Sequence, residues 1–338
     1  MKRFVFISIA FFFAAISFLC ILLFRIDLTG KSVEKNPATE KKEIILGFSQ
    51  IGSESAWRTR NTQSVFEAAK NNGIQIIFDD AQQKQSNQIK AIRSFIVYQV
   101  DVIAFVPIVE DGWDNVLKEA KDAQIPVIVV DRKINSSPSL YAGYIGEDAL
   151  EEGKKAGRFL LSKKMNEEKE VYNVMELYGT RNSSVAKGRS EGFRSVIEGS
   201  KFKIIYSEDG DFLRSLGKEI AENLIQENNG LFYKGQEIDV IYSHNDAMTL
   251  GLLDAFKEYK IDSKDKVIIS IDAEQKSIDA LKAGKINCVV ECNPDLGESL
   301  MVLVKDVAQG KRIARSTFME ETVFTENDDF SSYKIRGY

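Results

Sequence analysis

From residue 44 to residue 290, short apolar runs alternate with amphipathic stretches of helical period, and that alternation confines the chain to few folds. Ten runs read as strands: 44–48, 74–78, 102–106, 127–130, 141–145, 171–177, 203–206, 240–243, 267–271 and 287–290. Eight stretches between them read as helices: 59–71, 86–97, 114–123, 148–163, 185–197, 215–228, 247–259 and 275–283. Runs as apolar as VIVV at 127–130 have no polar face to turn to water, so both faces of their sheet must be covered. Helices between successive strands supply that cover and make the strands parallel. Ten strands crowd one small sheet and suit two, so the expected class is α/β with two doubly wound parallel-sheet lobes. A length of 338 residues agrees with about two domains.

The front of the chain is different. Residues 4–24 (FVFISIAFFFAAISFLCILLF) carry no charge over 21 positions, with Lys2 and Arg3 before them and Arg25 after. A bilayer core takes about 20 apolar residues in a helix, whereas a secretory signal has an apolar region of about 7–15 ending at small residues. The run is long and no A-x-A-like site follows, so residues 1–25 are read as a retained membrane helix. Lys2 and Arg3 hold its start in the cytoplasm and place the rest outside, in a periplasm or on a cell surface. A cleaved signal and a lipoprotein cut before Cys20 are the alternatives, the latter fitting poorly with the bulky Leu19 at the cut. Residues 26–42 are polar and aperiodic, as a linker would be.

Several function classes drop out. Three cysteines cannot build a disulfide scaffold, and a net charge of −5 argues against a nucleic-acid partner. No GxGxxG or Walker-type loop marks a nucleotide site, so no cofactor is expected. His244 is the only histidine and is read as a structural neighbour, with no metal cluster around it. Cys288 and Cys292 are four apart, about 13 Å in an extended strand, and are read as buried free thiols. Asp79 and Asp80 could be imagined as a glycosidase pair, but nothing fixes their separation, and the chain is read as no enzyme.

Ligands of doubly wound sheets bind outside the carboxyl ends of the strands. Those positions are rich in one chemistry: Glu54, Trp57 and Arg58; Asp131 and Arg132; Asn245; Asp272; Glu291. Carboxylates accept pairs of hydroxyls, guanidiniums donate in a fork, amides do both, and an indole covers the apolar face of a sugar ring. Such a set suits a small polyhydroxylated ligand held between two lobes. Asn245 and Asp272 each precede a helix, so capping competes with ligand contact; Trp57 could equally be core.

The stretches GFSQIGSESAWR (47–58), DAQQKQSNQIKAIRSF (80–95), GWDNVLKEAKDAQIPVIVVDR (112–132), GDFLRSLGKE (210–219) and SHNDAMTLG (243–251) resemble the type I periplasmic sugar-binding proteins of ABC importers. Within that family the likeness is to the ribose/galactose-binding group, and most to its galactofuranose binders, over residues 43–338. The resemblance implies two lobes joined by a hinge of three crossings: 43–146 plus 292–322, and 147–291 plus 323–338. It implies ring contact by Glu54, Trp57 and Arg58, and hydroxyl binding by Asp131 and Arg132. It further implies that Arg189 reaches in from the second lobe and that Phe212 packs on the sugar, with Asn245, Asp272 and Glu291 completing the set. Ribose binders carry Gln at the last position, where this chain has Glu291, which leaves the sugar open among pentoses and hexoses.

The implied function is capture of a monosaccharide outside the cytoplasm by lobes that close on it, with delivery to an ABC importer permease. A membrane-tethered sensor that engages a histidine kinase or another receptor is the alternative, which a retained helix would suit. A repressor with the same lobes would need a DNA-binding head where the apolar run stands.

Overall fold

The computed structural model describes residues 43–163, 165, 169–331 and 333–338. The expected membrane segment 1–25, with Cys20, and the linker 26–42 lie outside these residues. Among the described residues no helix is long and apolar enough to cross a membrane.

Two six-stranded sheets organise the chain. In the first, β1 (Ile44–Gln50), β2 (Ile74–Asp80), β3 (Val102–Phe105), β4 (Val127–Val130), β5 (Gly143–Gly146) and β13 (Ser316–Phe318) lie in the order β13-β5-β4-β3-β1-β2, all pairs parallel. The second has β6 (Tyr172–Tyr178), β7 (Phe202–Asp209), β10 (Val240–Ser243), β11 (Val267–Asp272), β12 (Cys288–Glu291) and β14 (Val323–Thr325), in the order β14-β12-β11-β10-β6-β7. Only β14 is antiparallel there. A small hairpin, β8 (Phe232–Tyr233) with β9 (Gln236–Glu237), stands apart. The expected α/β class with two parallel sheets is what the chain forms.

Helices flank the first sheet as α1 (Ala56–Asn72), α2 (Gln85–Val97) and α3 (Asp114–Asp122). The second carries α4 (Ala149–Ser162), α5 (Ser184–Ile197), α6 (Arg214–Asn228), α7 (Asp246–Tyr259) and α8 (Gln275–Lys282). A ninth, α9 (Gly297–Ala308), leads from β12 back to the first sheet and packs on α1. The sequence pattern had not marked α9. Its buried Leu300, Met301, Val304 and Val307 keep helical spacing, but the exposed Val302 and half-buried Leu303 between them blur the stripe. Strands β13 and β14 have three residues each, too short for a pattern to be seen.

The central strands β3 and β4 are buried at every position, as continuous apolar strands must be. In the second sheet alternate residues feed two cores: Ile241, Ile268 and Val289 on one face, Tyr242, Ile269 and Val290 on the other. Helix ends are set locally. Ser55 caps α1 by accepting from Arg58 N at 3.1 Å, and Gly73 closes it in the left-handed region at φ 64°. The chain passes between the sheets three times: from β5 to β6, from β12 to β13, and from β13 to β14.

Candidate functional site

The loops after the strands of both sheets face one another across a small cavity. Glu54, Trp57, Arg58, Asp131, Arg132, Arg189, Phe212, Asn245 and Asp272 all line it, together with Ser55, Val185 and Cys292. Glu291 is not brought there. Its carboxylate pairs with Arg336 at 2.6 Å and accepts from Thr322 N at 2.8 Å, tying β12 to the C-terminal tail. The side chain of the last residue of β12 thus turns from the cleft, and the next residue, Cys292, lines it instead.

On the first-sheet side, the turn after β1 and the start of α1 present Glu54, Trp57 and Arg58, while the residues after β4 present Asp131 and Arg132. Arg58 joins both parts: its guanidinium meets Asp131 Oδ2 at 2.5 Å and Glu54 Oε1 at 2.8 Å. Arg132 donates to Ile108 O at 3.2 Å and lies 4.0 Å from Glu54. Burial works to raise the Glu54 and Asp131 carboxyls, but Arg58 and Arg132 outweigh it and hold both below the usual range. Burial and then the charge of Arg58 lower Arg132.

From the second-sheet side, α5 brings Arg189 within reach. Its packing on α4 is close because two glycines meet carbonyls: an added Cβ on Gly153 would lie 2.1 Å from Arg189 O, and one on Gly192 would lie 2.1 Å from Leu150 O. Arg189 is clamped by Glu152 at 2.8 and 3.2 Å, donates to His244 O at 2.6 Å, and stands 3.7 Å from Asp272. Asp272 is raised well above the usual carboxyl range, by burial first and by the charges of Asp246 and Glu274 against the pull of Arg189. Phe212 lies between guanidiniums of the two sides, 5.2 Å from Arg132 and 5.9 Å from Arg189. Asn245 caps α7 through Met248 N at 3.0 Å and holds the Phe212 carbonyl at 3.2 Å, so the capping competitor to ligand contact is realised in the geometry.

Three of these residues have backbones that a non-glycine rarely adopts: Asp131 at φ 64°, Phe212 at φ 60° and Asp272 at φ 127°. Strain of this kind gathers at sites where side chains must be aimed. Charge is matched as well. The guanidiniums of Arg58, Arg132 and Arg189 face the carboxylates of Glu54, Asp131 and Glu152. A cavity so balanced suits an uncharged polar guest, because each buried charge already has its partner.

Glu152 escaped the sequence reading because an acid in the first turn of a helix reads as a complement to the helix dipole. Glu147, buried beside Asp131, is likewise raised well above its usual range, by burial and then by the Asp131 charge. His244 is buried between Glu176 at 3.2 Å and Gly179 N at 3.3 Å, a structural neighbour as expected. Cys288 and Cys292 are free and buried. Asp79 and Asp80 end β2 and do not line the cleft.

Residues 46–312 match the family described as periplasmic binding protein domain. The galactofuranose-binding protein YtfQ of Escherichia coli K12 is 39% identical over 302 residues, covering 87% of this chain and 93% of that protein. Among solved structures, the periplasmic binding protein component of the arabinose ABC transporter of Shewanella sp. ANA-3, bound to α- and β-L-arabinofuranose, is 40% identical with a TM-score of 0.77. The match covers 83% of this chain and 92% of that one. A Mycobacterium smegmatis protein in complex with β-D-fucofuranose is 38% identical with a TM-score of 0.76, over 84% of this chain and 91% of that one.

Proposed function

The chain belongs to the periplasmic binding protein family, and on that premise we propose that it captures a neutral monosaccharide in its furanose form outside the cytoplasm and hands it to an ABC importer. The observation that carries this reading is the charge-balanced cavity between the carboxyl ends of two parallel sheets. Hydroxyls would be taken by Glu54, Arg58, Asp131, Arg132, Arg189, Asn245 and Asp272, and the ring would lie against Trp57 and Phe212. Names of relatives favour the furanose: galactofuranose, arabinofuranose and fucofuranose recur among proteins of this similarity. The lobes are taken as 43–146 plus 292–322 and 147–291 plus 323–338, closing about the three passages between sheets. Opening and closing would give the permease two states to tell apart.

Titration calorimetry with galactose, arabinose, fucose and ribose, each as an equilibrated mixture and as a locked furanoside or pyranoside, tests this. The expected outcome is one furanose bound with a dissociation constant on the order of 1 μM, about −8 kcal/mol. Binding of pyranosides alone overturns the ring form, and no binding of any sugar overturns the function. The segment 1–25 is proposed to keep the protein on the membrane. Mass spectrometry of membrane-extracted protein should find it intact, and a mature N-terminus near Ile26 or a lipidated Cys20 would refute that.

A further inference from the structure

The start of α1 is capped twice. Its first N–H groups have no partner within the helix. Ser55, next in chain, takes the one of Arg58. The one of Trp57 is taken by a residue 217 positions away: Glu274 Oε1 accepts it at 3.0 Å. Glu274 follows β11 of the second sheet, while α1 follows β1 of the first.

Glu274 is held for this task. It is 4% exposed, its N–H donates to Asp246 Oδ2 at 2.7 Å, and its carbonyl accepts from Ser277 N and Ile278 N at 3.0 Å each. Asp246 is fixed in turn by the Ser270 hydroxyl. Beside the cap, the Trp57 indole leaves the first core altogether: it packs in a cluster with Val290 of the second sheet, and its Nε1 donates to the carbonyl of Cys292, just past β12, at 2.6 Å. Glu274 itself does not line the cavity, though Trp57 does.

We propose that Glu274 is the closure latch of this protein, a carboxylate of one lobe that caps a helix of the other and so sets ligand affinity without touching the ligand. This rests on the two-lobe sugar-binding reading above. The bond joins elements carried by different sheets and forms only when the strand ends face each other, so it adds to the closed state alone. A negative oxygen at a helix N-terminus is favoured further by the helix dipole. A contact present only in the closed state slows ligand release, whereas the encounter with the open cleft is left as it was. Glu274 is therefore a positioning residue, acting on the sugar through Trp57.

Stopped-flow fluorescence on the full chain in detergent micelles tests the latch. The chain has two tryptophans, and Trp113 is fully buried against Phe105, so a ligand-dependent change reports Trp57. Glu274→Ala is expected to raise koff and Kd about tenfold and to leave kon within about twofold. Glu274→Gln keeps an acceptor oxygen and is expected to recover most of that loss, which also guards against a misfolded alanine variant. The ranking of sugars should be unchanged in both. Wild-type koff in Glu274→Ala, or an altered ranking, overturns the latch. Should no sugar bind the wild type, the sugar-binding reading falls and the latch with it, an outcome distinct from wild-type koff in Glu274→Ala.

Discussion

Asp131 sits where three demands meet. Its carboxylate holds Arg58 at 2.5 Å, its backbone is in the left-handed region, and its carbonyl accepts from the Tyr144 hydroxyl at 2.7 Å. Truncation to Ala would leave Arg58 with Glu54 alone and remove an acceptor from the proposed sugar site. Asp131→Ala is expected to weaken sugar binding by about 2–5 kcal/mol in titration calorimetry. Glu291→Gln serves as the contrast, since that side chain faces Arg336 and Thr322, and it should leave affinity within about twofold. Equal losses in both variants would show that the cleft has been misassigned. These two residues also mark how far side chains can be read from sequence. Both follow or end an apolar strand, so position alone treats them alike. A strand turns successive side chains to opposite sides, and which side Glu291 takes is decided by Arg336, a residue 45 positions on that no local pattern connects to it. Of the nine that do meet in the cleft, seven were legible from the strand ends that precede them, whereas Arg189, inside α5, and Phe212 were reached only through the family resemblance.

At the scale of elements, α4 and α5 form a close helix pair, and what sets their distance is the absence of side chains. Gly153 and Gly192 let each helix approach a carbonyl of the other, and Arg189 rides on that contact one turn before Gly192. Gly192→Ala puts a methyl about 2.1 Å from Leu150 O, so the helices must part or the carbonyl must shift. The expected cost is roughly 1–3 kcal/mol of unfolding free energy in a urea titration, with sugar affinity lowered because Arg189 moves off Glu152 and Asp272. A variant as stable as the parent would mean that the pair yields without strain. Helices with a clean apolar stripe, such as α3 with Val116, Leu117 and Ala120 buried, were readable to within a residue or two. Helix α9 was not, since apolar residues surround it, and the three-residue strands β13 and β14 gain their pairing from tertiary contact. The passages between sheets depend on those hidden elements, so periodicity could suggest two sheets but not where the chain crosses.

For the whole molecule, the buried acids fix how stability follows pH. Burial and then the charge of Glu274 push Asp246 up to about 8; burial and then the charge of Glu152 push Glu321 up to about 9. Both therefore hold a proton in the folded chain at neutral pH that they release on unfolding. A folded state that binds more protons loses stability as pH rises, here from the ordinary carboxyl range up to about 8 or 9. Two groups act in the opposite sense at lower pH. His244 is lowered by burial, so the unfolded chain takes up a proton first as pH falls below about 6.5. Glu176 is lowered to about 2, chiefly by His244 and Arg194 against the effect of burial, and its contribution is lost as pH falls below the usual carboxyl range. Stability should thus be greatest on the mildly acidic side and decline between pH 6.5 and 9, each raised acid contributing at most about 1.4 kcal/mol per pH unit. Glu321→Gln mimics the protonated acid at all pH values, with its amide beside Glu152 and its oxygen free to face Lys155, 3.6 Å from Glu321 in the parent. Urea titrations at pH 6.5 and 9 should show a smaller difference in this variant than in the parent. An equal or larger difference would show that Glu321 is already ionised in the fold and that the decline belongs to the other raised acids, Asp246, Asp272 and Glu147.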